Sequence, residues 1–539
     1  MLVEEFNFAK VDCDCEASAD RIINCYTRYM IKKFNLRNFD HNLYITCPRY
    51  HEYHSHIMAV LLKANKSYFY KKNKLNYSYS NCKEIDILIK RYIFRKFKIK
   101  VYFKNDIQLG KDILYKNFKI DFFIFLMDLV TYLRPQNSKF KNQDIFLNDR
   151  SKNGILILCH DIQNAEKVYL NLPKKLSEFL ENRGNKVNLI LPFDVGLNLF
   201  EKISKFFILV KFILFKSKIL SLFRLSNLHF ITLEFYRHIY KKKLKSYLKR
   251  KNISLIINSF IDRRYEPIYF EAAKELKLKY YIYDYSLGYP LKKKEYMKYF
   301  LDTRKYGDIV FSNSIFRTEQ YQISSNFLDN KPLILPHVSP QIDYVVNKKR
   351  KTKIISNDFT IGIVDNVFFN DYAINYNDLN TLVKLIVDHN NFNLRFVLQS
   401  KRGHLIKEFR KYGLIKNNYI KSEKGDFSPL NEVDIIISIG WQGHALMSAS
   451  VFKKPLLFYS RLGYPYSNHC FSFNKSKNSK MNKLCNLLWL NENNFNDKFL
   501  GILKQEDEFI FVKEKSSEFL NEIGFYENKL EFYFQKYFQ

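Results

Sequence analysis

Short apolar runs alternate with stretches of helical spacing over most of the chain beyond Gly154. Three runs, Gly154–Cys159, Val187–Leu191 and Ile253–Ile257, are typical of strands covered on both faces of a sheet. Between the first two, the stretch Lys174–Arg183 has helical spacing, and Gly184 stands where a glycine often ends a helix. This alternation of strand and helix predicts parallel βαβ units.

The alternation is interrupted at 347–353, a basic and polar segment without an apolar pattern, and it then begins again. The later predicted strands are Phe359–Val364, Leu394–Leu398, Asp434–Ile439 and Pro455–Tyr459. The pattern therefore predicts an α/β fold with two Rossmann-like domains, at 151–345 and 355–480. An N-terminal α/β extension of unassigned role, 1–150, precedes them, and a helical, aromatic-rich C-terminal segment, 481–539, follows.

The segment Asp434–Tyr459 is the most informative for chemistry. Its first strand ends at Ile439, Gly440 and Gly443 permit a tight turn, and a helix is predicted to begin near His444. The N–H groups at a helix start, helped by the helix dipole, form an anion site. Open α/β sheets bind ligands at the carboxyl ends of their strands, so this turn is a candidate phosphate cradle. An ordinary strand-to-helix turn is the structural alternative.

This segment resembles the donor-binding half of GT-B glycosyltransferases that build capsules and other surface polysaccharides. The matching residues are Asp434, Ser438, Gly440, Gln442, Gly443 and Lys454–Pro455. The resemblance extends over roughly 154–470 and implies two Rossmann-like domains that face a cleft. There are two departures. Many relatives have Glu-Ala where this chain has Ser448-Ala449, and His-Gly where it has Leu287-Gly288.

The resemblance also implies the site residues. Those expected to bind the nucleotide-sugar donor are Lys401, Arg402, Gly440, Trp441, Gln442, Gly443, His444 and Ser448. The two cations would lie beside the donor phosphates, and Ser448 stands where the family's Glu holds the ribose. Trp441 could stack on a base or sugar, or pack inside the domain. The expected general base is His160 or Asp161, which follow the first strand, with Asp284 and Glu266 as alternatives.

The composition limits the classes of partner and ligand that we expect. The formal net charge of +34 attracts polyanions, but the cations are spread over the whole chain rather than gathered in one block, so nucleic acid is not an expected partner. The eight cysteines show no disulfide framework and are expected to be reduced thiols. Neither Asp12–Cys15 nor His51–His56 has the spacing of a metal site, so no metal and no cofactor is predicted.

The leading hypothesis is a metal-independent glycosyltransferase that moves a sugar from a nucleotide-activated donor to a surface-polysaccharide or lipid-linked acceptor. We expect a cytoplasmic protein that attaches peripherally to the anionic inner face of the cell membrane. The apolar stretch Phe206–Phe215 is too short to span a bilayer; it is either an interfacial or a buried helix. Two alternatives stay open: a sugar-nucleotide epimerase or polyol-phosphate polymer transferase, and a non-catalytic scaffold of polysaccharide assembly.

Overall fold

A computed structural model gives the arrangement of most of the 539-residue chain. The residues it describes are 8–33, 48–78, 82–104, 154–158, 167–190, 229–258, 266–284, 306–339, 359–365, 373–388, 394–400, 403–414, 419–421, 427–460 and 475–526, with the single residues 208 and 342. The predicted linker at 347–353 and nearly all of the apolar stretch Phe206–Phe215 lie outside them.

Two compact units divide the chain. The first consists of 1–154, 190–254 and 261–279, and the second of 155–189, 255–260 and 280–539. The second unit therefore holds all of the later sheet and most of the earlier one. The predicted domain limits at 150, 345, 355 and 480 stay predictions.

The N-terminal part of the first unit is a small helical layer with a two-stranded sheet. Its elements are α1 (Phe8–Lys33), α2 (Pro48–Phe69), β1 (Lys74–Ser78), α3 (Lys83–Phe97) and β2 (Lys100–Lys104). The strands β1 and β2 are parallel, with Lys74 opposite Lys100. Buried tyrosines and isoleucines, among them Tyr26, Tyr53 and Ile89, fill the interior. The predicted α/β character of this extension is confirmed in its described residues.

The first large sheet has six strands. Its elements in chain order are β3 (Gly154–Leu158), α4 (Lys167–Asn182), β4 (Lys186–Ile190), α5 (His229–Arg250), β5 (Ile253–Asn258), α6 (Glu266–Glu275), β6 (Lys279–Tyr283), β7 (Ile309–Ser312), α7 (Ile315–Ser325) and β8 (Leu333–Pro336). The strand order is β4-β3-β5-β6-β7-β8, so the order reverses between β3 and β5. The strands β6, β7 and β8 pair in parallel.

The second large sheet also has six strands, and all of its neighbours pair in parallel. Its elements are β9 (Phe359–Asp365), α8 (Ala373–Val387), β10 (Leu394–Ser400), α9 (His404–Lys411), β11 (Tyr419–Lys421), β12 (Ile435–Ile439), α10 (Gly443–Phe452), β13 (Leu456–Tyr459) and β14 (Trp489–Leu490). The order β11-β10-β9-β12-β13-β14 is that of a dinucleotide-binding Rossmann sheet, with its reversal between β9 and β12.

Close packing explains the sequence at the centre of this sheet. All five residues of β12 are buried, and four of them are isoleucine, a β-branched residue suited to a strand covered on both faces. In β9, a side chain at Gly362 would lie 2.7 Å from Leu430, so only glycine fits between the strand and the short 3₁₀ helix Ser428–Glu432 that packs over it.

The described residues of the C-terminal region form three helices: α11 (Lys475–Leu487), α12 (Phe495–Lys504) and α13 (Glu506–Ile523). The α13 helix packs against α7 of the first sheet and α10 of the second, and its Ser516 hydroxyl bonds the backbone of Leu456 at both its N–H and its carbonyl. The predictions of two parallel α/β sheets and a helical C-terminal region are thus confirmed.

Candidate functional site

The reversal of strand order in the second sheet defines the candidate site. The carboxyl ends of β9 and β12 lie side by side there, since the register pairs Ser438 with Val364. The chain leaves β9 at Asp365 and leaves β12 at Ile439. Helices on either side of such a reversal diverge to opposite faces of the sheet, and the crevice between them is where open α/β sheets take ligands.

The turn that follows β12 has a fixed shape. Gly440 has φ +66°, a left-handed conformation that suits glycine, and a side chain there would meet nothing within 4 Å. The Ser438 hydroxyl donates to the Gly440 carbonyl at 2.8 Å, and the Gly440 N–H donates to the Tyr459 carbonyl at 2.9 Å. The Gln442 side chain folds back and donates to the Ile439 carbonyl at 2.9 Å. The turn is therefore held by its own residues and by the end of the neighbouring strand β13.

The start of α10 is not capped by the side chain of its own N-cap residue. Gln442 occupies the N-cap position, but its side chain is committed to Ile439 and bonds no N–H of the helix. The first N–H groups of a helix have no partner inside it, and they carry the positive end of its dipole. Gly443 and His444, the first two helical residues, are partly exposed. A phosphate can approach this backbone closely, because Gly440 and Gly443 present no side chain.

Trp441 lies in the core rather than on the surface of the turn. Its ring is 3% exposed and stacks on Phe458 at 5.8 Å, with the edge of Phe519 at 6.1 Å and Phe316 at 6.5 Å. A ring packed among three others stabilises the position of the turn. This placement favours packing, the second of the two roles predicted for Trp441.

His444 and Ser448 lie on successive turns of α10. The buried Ser448 hydroxyl donates to the His444 carbonyl at 2.7 Å. Its bond is therefore made within the helix. The His444 ring is partly exposed and meets the edge of Phe427 at 6.1 Å. Among the predicted donor-binding side chains that the structure describes, that of His444 is therefore the most exposed.

The predicted cations and the predicted base fall outside the described residues: Lys401, Arg402, His160 and Asp161. Their chain positions are nevertheless informative. Lys401 directly follows Ser400, the last residue of β10, and His160 comes two residues after Leu158, the last residue of β3. Strand β3 borders the reversal in the first sheet, as β9 does in the second.

Asp284, an alternative base from sequence, is committed to a buried ion pair. One of its carboxylate oxygens accepts from the Arg317 Nε at 3.1 Å and from the Tyr321 hydroxyl at 2.5 Å. Arg317 also donates to Gln320 at 3.3 Å, and the whole network is buried. A carboxylate held by two donors and shielded from water anchors α7 to the end of β6. The other alternative, Glu266, begins α6, and its side chain is outside the description.

Several buried polar residues at the carboxyl edges of the two sheets were not predicted from the sequence. Asn258, Asn313 and His337 end or follow strands of the first sheet; in the second, Asp365 ends β9 and Gln399 is the last residue but one of β10. The available signal was a polar residue directly after an apolar run. Burial lowers the pKa of His337 to about 3, so this imidazole is neutral beside the Tyr283 ring at 4.4 Å.

Solved structures of distant proteins resemble this chain. The UDP-GlcNAc 2-epimerase from Neisseria meningitidis bound to UDP-GlcNAc is 13% identical with a TM-score of 0.44, over 71% of this chain and 99% of that one. The S. aureus MnaA–UDP structure is 12% identical with a TM-score of 0.42, over 69% of this chain and 92% of that one. Acinetobacter baumannii MurG is 10% identical with a TM-score of 0.34, over 69% of this chain and 99% of that one. Likeness at this level assigns no activity to the chain.

No family model matches the sequence, and no curated protein matches it. In the described part of the chain, no three His, Cys, Asp or Glu side chains come together in a way that could hold a metal ion. None of the helices described has the length and apolar character needed to cross a membrane.

Proposed function

We propose that this chain is a nucleotide-sugar enzyme with the GT-B arrangement, and specifically a glycosyltransferase. The observation that carries the proposal is the uncapped start of α10, which follows the turn from β12 at the strand-order reversal of a six-stranded parallel sheet. The donor diphosphate would lie against this helix start. There the N–H groups donate to phosphate oxygens and the dipole favours their negative charge.

Two further features support a diphosphate at this position. Gly440 and Gly443 leave room for phosphate at the backbone. Lys401 and Arg402 come directly after β10, which is parallel to β9 and therefore ends at the same edge of the sheet. A guanidinium can fork onto phosphate oxygens, and an ammonium adds a point charge. The Ser448 hydroxyl is bonded within α10, so the ribose would depend on other groups.

The reaction would need one base and a stabilised leaving group. His160 or Asp161, beyond the end of β3, would accept the proton of the acceptor hydroxyl. The acceptor oxygen then bonds the anomeric carbon as the bond from that carbon to the diphosphate oxygen breaks. The N–H groups of α10 with Lys401 and Arg402 would hold the charge that develops on the diphosphate. In this scheme the acceptor is a surface-polysaccharide or lipid-linked hydroxyl on the cytoplasmic side of the membrane.

Donor binding is tested by calorimetric titration of the full chain with UDP, GDP, ADP and CDP and their sugar conjugates. We expect one class of nucleotide to bind and Gln442→Asp to weaken it at least about tenfold, because a carboxylate at the N-cap competes for the same N–H groups and repels phosphate. Gln442→Asn, which is neutral, is the matched control. Absence of binding to every nucleotide, or equal affinity of the two variants, would remove α10 from the site.

Product analysis then separates transfer from the alternatives. A transferase releases free nucleoside diphosphate only as sugar appears on an added acceptor, whereas an epimerase returns a changed nucleotide sugar without an acceptor. Ala substitution at the true base, His160 or Asp161, should lower kcat by roughly 10²-fold or more while the donor Kd is unchanged. Nucleotide binding without turnover of any donor would instead indicate the scaffold alternative.

A further inference from the structure

The N-terminal extension has a chemically distinctive end. Helix α2 ends at Phe69 and helix α3 at Phe97, and each leads within a few residues into a strand. Because β1 and β2 are parallel and Lys74 lies opposite Lys100, both helix-to-strand turns are at the same end of this layer. We call the two segments 68–74 and 94–100 the aromatic–basic tip.

The tip is made almost wholly of aromatic and cationic residues. Its fourteen residues include seven cations, five aromatic rings and no acid. The cations are Lys71, Lys72, Lys74, Arg95, Lys96, Lys98 and Lys100, and all seven are exposed. Four large rings are exposed as well: Tyr68 by 59%, Phe69 by 39%, Tyr70 by 44% and Phe94 by 48%. Apolar rings kept in water beside clustered charge mark a surface that meets a partner.

Backbone hydrogen bonds close both turns of the tip. The Lys71 and Lys72 N–H groups bond back to Tyr68 and Ser67 at 2.9 and 2.7 Å, and the Lys98 N–H bonds Phe94 at 3.0 Å. The Tyr68 and Phe97 rings lie 5.6 Å apart, which joins the end of α2 to the end of α3. The exposed rings therefore project from a structured end.

We propose that the tip docks on the surface of an anionic lipid bilayer. Aromatic rings favour the level of the lipid headgroups, and lysine and arginine beside them bind anionic phosphates. Charge complementarity selects this partner, since the tip carries seven cations and no carboxylate to repel an anionic surface. The acids of α3, Glu84 and Asp86, are in its first turn, at the opposite end of the helix.

Single-stranded nucleic acid is the competing partner for a basic aromatic surface. It is gripped along a groove whose ring faces accept successive bases. At the tip, the rings are gathered at the ends of two adjacent helices, and Lys96 lies 5.2 Å from the Phe97 centroid and Lys98 6.0 Å from that of Phe94. Lysine side chains can lay their apolar stems along the rings and keep the ammonium groups among the headgroups. This arrangement suits the boundary between the apolar interior of a bilayer and its charged surface. The proposal does not rest on the glycosyltransferase assignment.

The test is flotation of the full chain with phosphatidylcholine vesicles, with and without about one third phosphatidylglycerol. We expect binding to the anionic vesicles only. Phe69→Ser/Tyr70→Ser and, separately, Lys72→Glu/Lys74→Glu should each weaken that binding about tenfold or more, because the first removes insertion and the second removes attraction. These side chains are exposed, so the thermal midpoints should stay close to that of the unaltered chain.

Two control variants match these changes elsewhere on the surface. Ile510→Ser/Phe511→Ser removes comparably exposed apolar groups from α13, and Lys407→Glu/Lys513→Glu gives the same change in net charge. Both should bind anionic vesicles like the unaltered chain. Equal binding to neutral and anionic vesicles, or tip and control variants that behave alike, overturns the proposal. So does loss of binding to a fluorescent single-stranded oligonucleotide in the tip variants while vesicle binding persists.

Discussion

The strand–turn–helix units β7–α7 and β12–α10 are built alike but end differently. In each, an aspartate just before the strand binds the backbone of a neighbouring strand. Asp308 accepts from the Tyr280 N–H at 2.7 Å, and Asp434 accepts from the Thr360 N–H at 2.8 Å. In each, a serine at the end of the strand donates to the carbonyl two residues on, Ser312 at 3.2 Å and Ser438 at 2.8 Å.

The difference begins at the helix start. In α7 the Ser314 hydroxyl caps the Arg317 N–H at 3.1 Å. The C-terminal segment then covers the turn: the Gly524 carbonyl accepts from the Ile315 N–H at 2.8 Å, and the Tyr526 N–H donates to the Asn313 carbonyl at 3.2 Å. In α10 the N-cap residue, Gln442, makes no side-chain cap, and the first residues of the helix are partly exposed. The N–H groups at the start of α7 thus serve the stability of the fold, whereas those at the start of α10 are the groups that the proposed function assigns to a phosphate.

The largest expected effect is on the ion pair that anchors α7. Asp284→Ala should lower the free energy of unfolding by about 3–5 kcal/mol, because Arg317 would stay buried without its carboxylate. Ser448→Ala is the matched change in α10, which contains no Asp, Glu, Lys or Arg; it should cost less than about 0.5 kcal/mol, since alanine favours the helix. Urea unfolding measures both. Similar losses of unfolding free energy for Asp284→Ala and Ser448→Ala would contradict the difference between α7 and α10.

A smaller effect is expected on the pH dependence of stability. His337 has a folded-state pKa of about 3, so below the unfolded value of about 6.5 the unfolded chain takes up a proton that the folded chain does not. Its contribution is fully present above pH 6.5 and falls as the pH drops towards 3, by about 2 kcal/mol at pH 5. His337→Leu should flatten the loss between pH 7 and 5. If the pH dependence of unfolding free energy were the same in His337→Leu as in the unaltered chain, water would reach this imidazole in the folded protein.

The smallest expected effect is the difference in the free energy of unfolding between substitutions at two glycines with left-handed φ, Gly524 after α13 and Gly440 before α10. A side chain at Gly524 would lie 2.7 Å from Ile315, whereas one at Gly440 would meet nothing within 4 Å. Gly524→Ala should therefore cost about 2–3 kcal/mol, from strain and contact together, and Gly440→Ala only about 1–2 kcal/mol, from strain alone. Thermal unfolding checks the order. If Gly440→Ala cost more, the space around Gly440 would be filled and not open as its surroundings indicate.

Much of the fold was predictable because its signals are local. The runs Gly154–Leu158, Phe359–Asp365 and Ile435–Ile439 are continuous and apolar, and each forms a strand within a residue or so of its predicted limits. The edge strands β8 and β14 and the capped helix α7 were not predicted. Short edge elements carry too few residues for a pattern, and what fixes them is pairing with a neighbour.

The sequence alone determined the two α/β sheets and the glycine turn after Ile439, because apolar runs, helical spacing and glycine act over a few residues. Only the tertiary structure decided which side chains and backbone groups of that turn are buried and which are exposed to solvent. Trp441 packs among Phe316, Phe458 and Phe519, and the residues around Gly524 reach back about two hundred positions to close α7. Burial and capping depend on contacts between distant segments, and no local pattern encodes them.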